Sequence, residues 1–174
     1  METKQLSKFL SLVLRHQPEK IGIPLDEKGW TAIPILLEKM SITLAQLEYI
    51  VENNDKKRFV FNADQTQIRA NQGHSVEINL GYLPSTPPPI LFHGTTKRNV
   101  ASILEQGILK QARHHVHLSS DNHTAHTVGS RYGSPIILAI DAQKMHDDGL
   151  LFYCSDNNVW LTDKVEAKYI RKRK

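Results

Sequence analysis

Cysteine is nearly absent: Cys154 is the single one in 174 residues, which excludes a disulfide framework within the chain and fits a reducing cytosol. Long apolar runs are missing too. Nothing approaches the roughly 20 residues a bilayer-spanning helix needs, and Met1 to Phe9 lacks the apolar core and small-residue cleavage site of a signal peptide. We therefore expect a cytoplasmic protein with no membrane partner. The chain has neither a Gly-x-Gly-x-x-Gly fingerprint nor a phosphate-loop motif, so any nucleotide must be held by another kind of fold. No serine lies in a nucleophile-elbow sequence, which leaves a Ser/His/Asp hydrolase unsupported. A surplus of charge is lacking as well. Residues 1–80 carry 10 Lys+Arg against 10 Asp+Glu, and the net +4 of the chain equals the tail Arg171 to Lys174 alone. Bulk attraction to nucleic acid is thus weak, and a polyanion must be held by a local cluster. We read the tail as a solvated, frayed end.

What is present begins with apolar residues, 40% of the chain, enough for a packed core. Leu6, Phe9, Leu10, Val13 and Leu14 fall on one face of a helix, and Pro18 forces its end nearby. Arg15 and His16 then stand at or near that helix's C-terminus, where the dipole favours positive charge. A short helix is predicted over Ile33 to Met40, with Pro34 in its first turn. Thr43 and Gln46 form a capping-box pattern ahead of the stripe Leu44, Leu47, Ile50 and Val51. Arg58 to Phe61 and Gln67 to Ala70 read as a hairpin. Three helices and a hairpin are the parts of a winged helix, an inference by analogy.

Pro84 to Pro89 reads as a stiff, extended connection. It sets the expected division: a lobe over 1–82, a proline-rich linker over 83–89, and a second lobe over 90–174. In the second lobe we expect strands at Ile90 to His93, Val116 to Ser119, Pro135 to Ile140, Leu150 to Cys154 and Val159 to Thr162. Helices are expected around Val100 to Leu104, closed by Gly107, and from Asp121 towards Arg131. The whole is an α+β protein whose second lobe is mostly β.

The cations stand out by their company. Arg69 leads into Gln72-Gly73-His74-Ser75, and His93 into Gly94-Thr95, small or polar residues where backbone can approach a ligand closely. Arginine and histidine are side chains that position a phosphate and stabilise charge developing on it. His114, His115 and His117, with His123 and His126, suggest a metal site, but no acidic residue nearby completes a ligand set, and we expect no metal.

Taken in order, Ser7-Lys8-Phe9-Leu10-Ser11 with Val13-Leu14-Arg15-His16, Asp55 to Phe59, Ile68-Arg69-Ala70 with Gln72 to Ser75, Phe92-His93-Gly94-Thr95, Val116-His117-Leu118-Ser119, Val128-Gly129 with Arg131, and Gly133-Ser134-Pro135 carry a resemblance along nearly the whole chain. The sequence resembles the KptA-type RNA 2′-phosphotransferases, bacterial and archaeal relatives of the fungal tRNA-splicing enzyme. The resemblance implies an N-terminal winged-helix RNA lobe and a C-terminal ADP-ribosyltransferase-like lobe that binds NAD⁺ and consumes it. It implies that an internal RNA 2′-phosphate attacks C1″ of the nicotinamide ribose and expels nicotinamide. The ribose O2″ of the 2′-phospho-ADP-ribosylated RNA then attacks phosphorus, giving RNA with a 2′-OH and ADP-ribose 1″,2″-cyclic phosphate.

The same resemblance implies a catalytic tetrad of Arg15, His16, Arg69 and Arg131, with Arg15, Arg69, Gln72 and His74 binding the RNA phosphate. His16 either orients the phosphate or serves O2″ as general base. For NAD⁺ it implies the signature His93, His117 and Val159, with Gly94, Thr95, Ser119 and Ser120 as further contacts. Other ADP-ribosyltransferases often place a glutamate at the third signature position; Val159 cannot do acid–base work. Asn157 and Asn158 are read as turn residues. The expected partner is a tRNA-like RNA bearing a 2′-phosphate, and the expected state a monomer. Two rival readings are an ADP-ribosyltransferase that caps terminal phosphates of nucleic acid, and a non-catalytic winged-helix nucleic-acid binder.

Overall fold

Amphipathic periodicity, capping and short β-branched runs build two separate cores. The structure, a computed structural model, describes residues 3–130 and 133–171. The backbone divides into two compact units, Met1–Gly81 and Tyr82–Lys174. Both mix helices with small sheets, an α+β architecture.

In the first unit, helix α1 (Thr3–Arg15) buries Leu6, Leu10, Val13 and Leu14. Helix α2 (Ile33–Met40) starts with proline in its first turn and stops at Ser41, whose φ of 53° is left-handed. Helix α3 (Leu44–Glu52) is held at its start by the reciprocal bonds of Thr43 and Gln46. Strands β1 (Thr31–Ala32), β2 (Phe59–Phe61) and β3 (Gln67–Ala70) make an antiparallel sheet in the order β1-β3-β2. Strand β1 is absent from the sequence reading, because two residues carry no period to recognise. Leu10, Leu14, Leu36, Leu47, Ile50 and Ile68 are central to this core.

The second unit opens with Pro84 bridged to Tyr153, and with Ser85 N–H donating to the Phe152 carbonyl at 2.8 Å. Strand β4 (Ile90–Thr96) leads into α4 (Lys97–Gln106) and the short β5 (Ile108–Leu109). Then come β6 (Val116–Leu118), α5 (Asn122–Gly129), β7 (Pro135–Asp141) and α6 (Ala142–Asp147). The chain closes with β8 (Tyr153–Cys154), β9 (Trp160–Thr162), β10 (Lys164–Val165) and β11 (Ile170–Arg171). One sheet has the order β11-β7-β4 and another β6-β9-β8, while β10 pairs with β5. A bridge between Phe92 and Ser119 ties the two larger sheets together. Leu91, Val116, Leu118, Ile140 and Phe152 are among the residues that fill the core.

Two expectations need correction. The strand expected over Leu150 to Cys154 is confined to Tyr153–Cys154, because the Leu151 carbonyl accepts from the Thr162 hydroxyl and the Phe152 carbonyl from Ser85. Arg171 is not part of a frayed end: β11 pairs antiparallel with β7, and the Arg171 guanidinium donates to the Asp141 carboxylate at 2.5 Å. Among the described residues, no helix is long and apolar enough to cross a membrane.

Candidate functional site

A helix ends with backbone carbonyls that its own turns cannot satisfy. At the end of α1, the Arg15 carbonyl accepts from the N–H groups of Ser75 (2.9 Å) and Val76 (3.4 Å). The Ser75 hydroxyl also lies 2.9 Å from Nδ1 of His16. The first cationic motif is thereby fastened to the segment Gln72 to Ser75, almost 60 residues away in the chain. That segment continues directly from β3, which carries Arg69. Ile68 and Ala70 point into the core, so alternation puts Arg69 on the opposite face.

Arg69 is nevertheless only 8% exposed. Its guanidinium lies over the Trp30 ring, Cζ 4.6 Å from the ring centroid, and Nη1 donates to the Lys28 carbonyl at 3.4 Å. His74 is buried against the same turn: a Cβ on Gly29, whose φ is +83°, would stand 3.3 Å from His74 Nε2. Gln72 is buried too, and its Oε1 accepts no hydrogen bond among the described residues. That oxygen suits a ligand hydroxyl, while the amide nitrogen of Gln72 is the atom able to donate to a phosphate. Arg15, His16, Arg69, Gln72 and His74 are thus gathered at one end of α1 and β3. Such a cluster can bind a phosphate through charge-assisted hydrogen bonds. Trp30 and the turn from Asp26 escaped the sequence reading, although Asp26-x-x-Gly29 is a recognisable turn signal. Arg131 lies outside the described residues.

In the second unit, His93 stands on β4 and His117 on β6. The His93 Nδ1 lies 3.3 Å from the His117 carbonyl. A carbonyl only accepts, so Nδ1 carries the proton and Nε2 is the ring's acceptor. Burial pushes the His93 pKa below 6.5, the Arg113 charge adds to the shift, and the bond to the His117 carbonyl opposes it. His117 has the other tautomer. Arg113 Nη1 lies 3.3 Å from its Nδ1 and can only donate, which leaves the proton on Nε2. The two rings thus carry their protons on different nitrogens, Nδ1 in His93 and Nε2 in His117.

Gly94 follows because α5 crosses β4 at its position. A Cβ there would come within 1.9 Å of the Ala125 carbonyl oxygen, and Gly129 meets the Gly94 backbone from the same helix. Thr95 is buried, and Ser119 holds the Phe92 backbone by two hydrogen bonds, while Ser120 is exposed. Val159 lies just before β9. Its N–H donates to the Ser155 hydroxyl at 3.0 Å, and its carbonyl accepts from Ser155 N–H at 2.9 Å. His115 stacks obliquely near Tyr153, ring centroids 5.5 Å apart, and its pKa is lowered first by burial and then by the charges of His114 and Lys110. Among the described residues, no three His, Cys, Asp or Glu side chains are placed to hold a metal ion.

These features define an α+β protein with a cationic, phosphate-compatible cluster on one unit and a paired-histidine strand site on the other. The chain belongs to the RNA 2′-phosphotransferase, Tpt1 / KptA family, whose model matches residues 1–164. It is 52% identical over 171 residues to a probable RNA 2′-phosphotransferase of Trichormus variabilis, covering 95% of this chain and 94% of that protein. It is also 52% identical over 172 residues to a protein of the same name from Flavobacterium johnsoniae, covering 96% and 94%.

Proposed function

We propose that the chain transfers an internal RNA 2′-phosphate to NAD⁺, releasing nicotinamide, RNA with a 2′-OH, and ADP-ribose 1″,2″-cyclic phosphate. The observation that carries this reading is the fastening of Arg15-His16 to Gln72–Ser75 through Ser75, in a chain matched to the family over residues 1–164. In this reading the first unit is a winged-helix RNA lobe, and Arg15, Arg69, Gln72 and His74 bind the phosphate. Arg15, His16, Arg69 and Arg131 act on it chemically, the arginines orienting the phosphoryl oxygens and stabilising their charge. The Ser75 hydroxyl fixes the ring of His16, so that it can orient the phosphate or take a proton.

The second unit is read as an ADP-ribosyltransferase-like lobe. The donor and acceptor of His117 and His93 fit ribose hydroxyls of NAD⁺, and Thr95, Ser119 and Ser120 supply further polar contacts beside the strand that Gly94 allows α5 to approach. Val159 contributes an apolar wall and no proton transfer. NAD⁺, when bound, supplies an electrophilic C1″ with nicotinamide as leaving group and the neighbouring O2″ hydroxyl.

One assay tests the proposal. The full chain is incubated with NAD⁺, EDTA and a short RNA bearing one internal 2′-phosphate, and the products are identified by mass. ADP-ribose 1″,2″-cyclic phosphate and free nicotinamide are expected. Modified RNA that keeps its phosphate and is never resolved means a capping ADP-ribosyltransferase. No NAD⁺ consumption means a binding module.

A further inference from the structure

Trp30 belongs to no motif, yet it lies against Arg69, the most enclosed arginine among the described residues of the first unit. The Asp26 carboxylate accepts from the N–H groups of Lys28 (2.9 Å) and Trp30 (2.8 Å). The Asp26 backbone closes the same turn, its N–H donating to the Trp30 carbonyl and its carbonyl accepting from Gly29 N–H, both at 3.0 Å. Gly29 takes the left-handed φ of +83° that the turn requires. The turn thus presents two things to Arg69 at once: the Lys28 carbonyl to Nη1, and the Trp30 face to the guanidinium plane.

An arginine side chain has several rotatable bonds and loses their freedom when it binds an anion. A ring under one face and a carbonyl at one edge remove that freedom beforehand. The stack also favours the cation over any neutral replacement, since the ring face is electronegative. Neither contact requires the opposite face of the guanidinium or its remaining donors.

We propose that Trp30 is a positioning residue for Arg69: the Asp26–Trp30 turn pre-orients the guanidinium that binds the RNA 2′-phosphate. This deepens the reading of the first unit given above and rests on it. The prediction is specific. Replacing the ring should weaken recognition of the phosphate, leave contacts to the rest of the RNA intact, and matter only while Arg69 is present.

The test measures binding without NAD⁺, so that nothing turns over. The full chain, Trp30→Met, Trp30→Phe, Asp26→Ala, Arg69→Ala and the double variant Trp30→Met/Arg69→Ala are each titrated with a short RNA carrying one internal 2′-phosphate, and with the same RNA carrying a 2′-OH. Circular dichroism checks that each is folded. Wild type should prefer the phosphorylated RNA. Trp30→Met should lose about tenfold of that preference, the scale of a desolvated cation–π contact. Trp30→Phe should recover most of it, and Asp26→Ala should lose a similar share. The double variant should be no worse than Arg69→Ala. A preference unchanged in both Trp30→Met and Asp26→Ala overturns the inference, as does a Trp30→Met loss that adds in full to that of Arg69→Ala. If Trp30→Met does not fold, Asp26→Ala with and without Arg69→Ala decides the question alone. A wild-type chain with no preference for the phosphorylated RNA instead defeats the phosphate-binding reading itself.

Discussion

Arg69 is buried and His93 half-buried, and the two side chains are accommodated in different ways. Arginine keeps its charge, so its surroundings must be arranged to suit a cation, as Trp30 and the Lys28 carbonyl are. Arg69→Ala is expected to slow phosphate transfer by about 10²–10³-fold, the scale of one transition-state charge contact. The slower step should be the attack of O2″ on phosphorus, so gel analysis should show ADP-ribosylated RNA building up. Arg69→Lys should recover only part of the rate, because a point charge does not reproduce the guanidinium fork. A slowed time course without that build-up would refute this division of labour.

Histidine yields its charge instead. With its folded pKa below 6.5, His93 releases a proton on folding at mildly acidic pH, so stability rises with pH through that window. The contribution is complete above about 6.5, the unfolded value, and is lost as pH falls beneath it. Urea unfolding at pH 7.5 and 5.5 should show a smaller unfolding free energy at the lower pH. His93→Asn, which keeps a donor near the Nδ1 position and does not titrate, should narrow that difference. His115, also lowered, accounts for part of what persists.

Elements were legible where a period or a cap marks them. Helix α2 has the bounds its sequence predicts, and the Thr43–Gln46 box opens α3 as expected. The strands β1, β5, β10 and β11 are two residues each and carry no pattern; pairing with a distant strand alone makes them strands. Helix α6 was missed for a different reason. Its N-cap Asp141, which accepts from Lys144 N–H at 3.2 Å, is also the last residue of β7, so strand and cap signals overlap. The crossing of α5 over β4 yields a test at this scale. Gly94→Ala puts a Cβ 1.9 Å from the Ala125 carbonyl oxygen, which is backbone and cannot rotate away. We expect a loss of about 1–3 kcal/mol or more in unfolding free energy, together with weaker use of NAD⁺. Gly129→Ala meets its nearest neighbour, the Pro135 side chain, at 3.0 Å and should cost less. Equal stability of the two variants in denaturant titration would contradict the close approach.

Each unit has a hydrophobic core drawn from its own segment, the first from residues between Leu6 and Ala70, the second from residues between Leu91 and Ile170. A core complete within one segment predicts independent folding. Residues 1–81 expressed alone should melt cooperatively and keep the preference for RNA carrying a 2′-phosphate. A broad, non-cooperative melt would show that this core needs more than its own residues.

By itself the sequence determined the family, the helices of the first unit and the cationic and histidine motifs, because each is written in contiguous residues whose spacing or order is distinctive. It did not determine what holds those motifs. The Ser75 bonds to Arg15 and His16, the Trp30 stack on Arg69 and the tautomers of His93 and His117 join residues between 4 and 60 positions apart. The tertiary structure alone decided them, since a hydrogen bond or a ring contact depends on distance and direction in space, and neither is encoded in the local pattern of the chain.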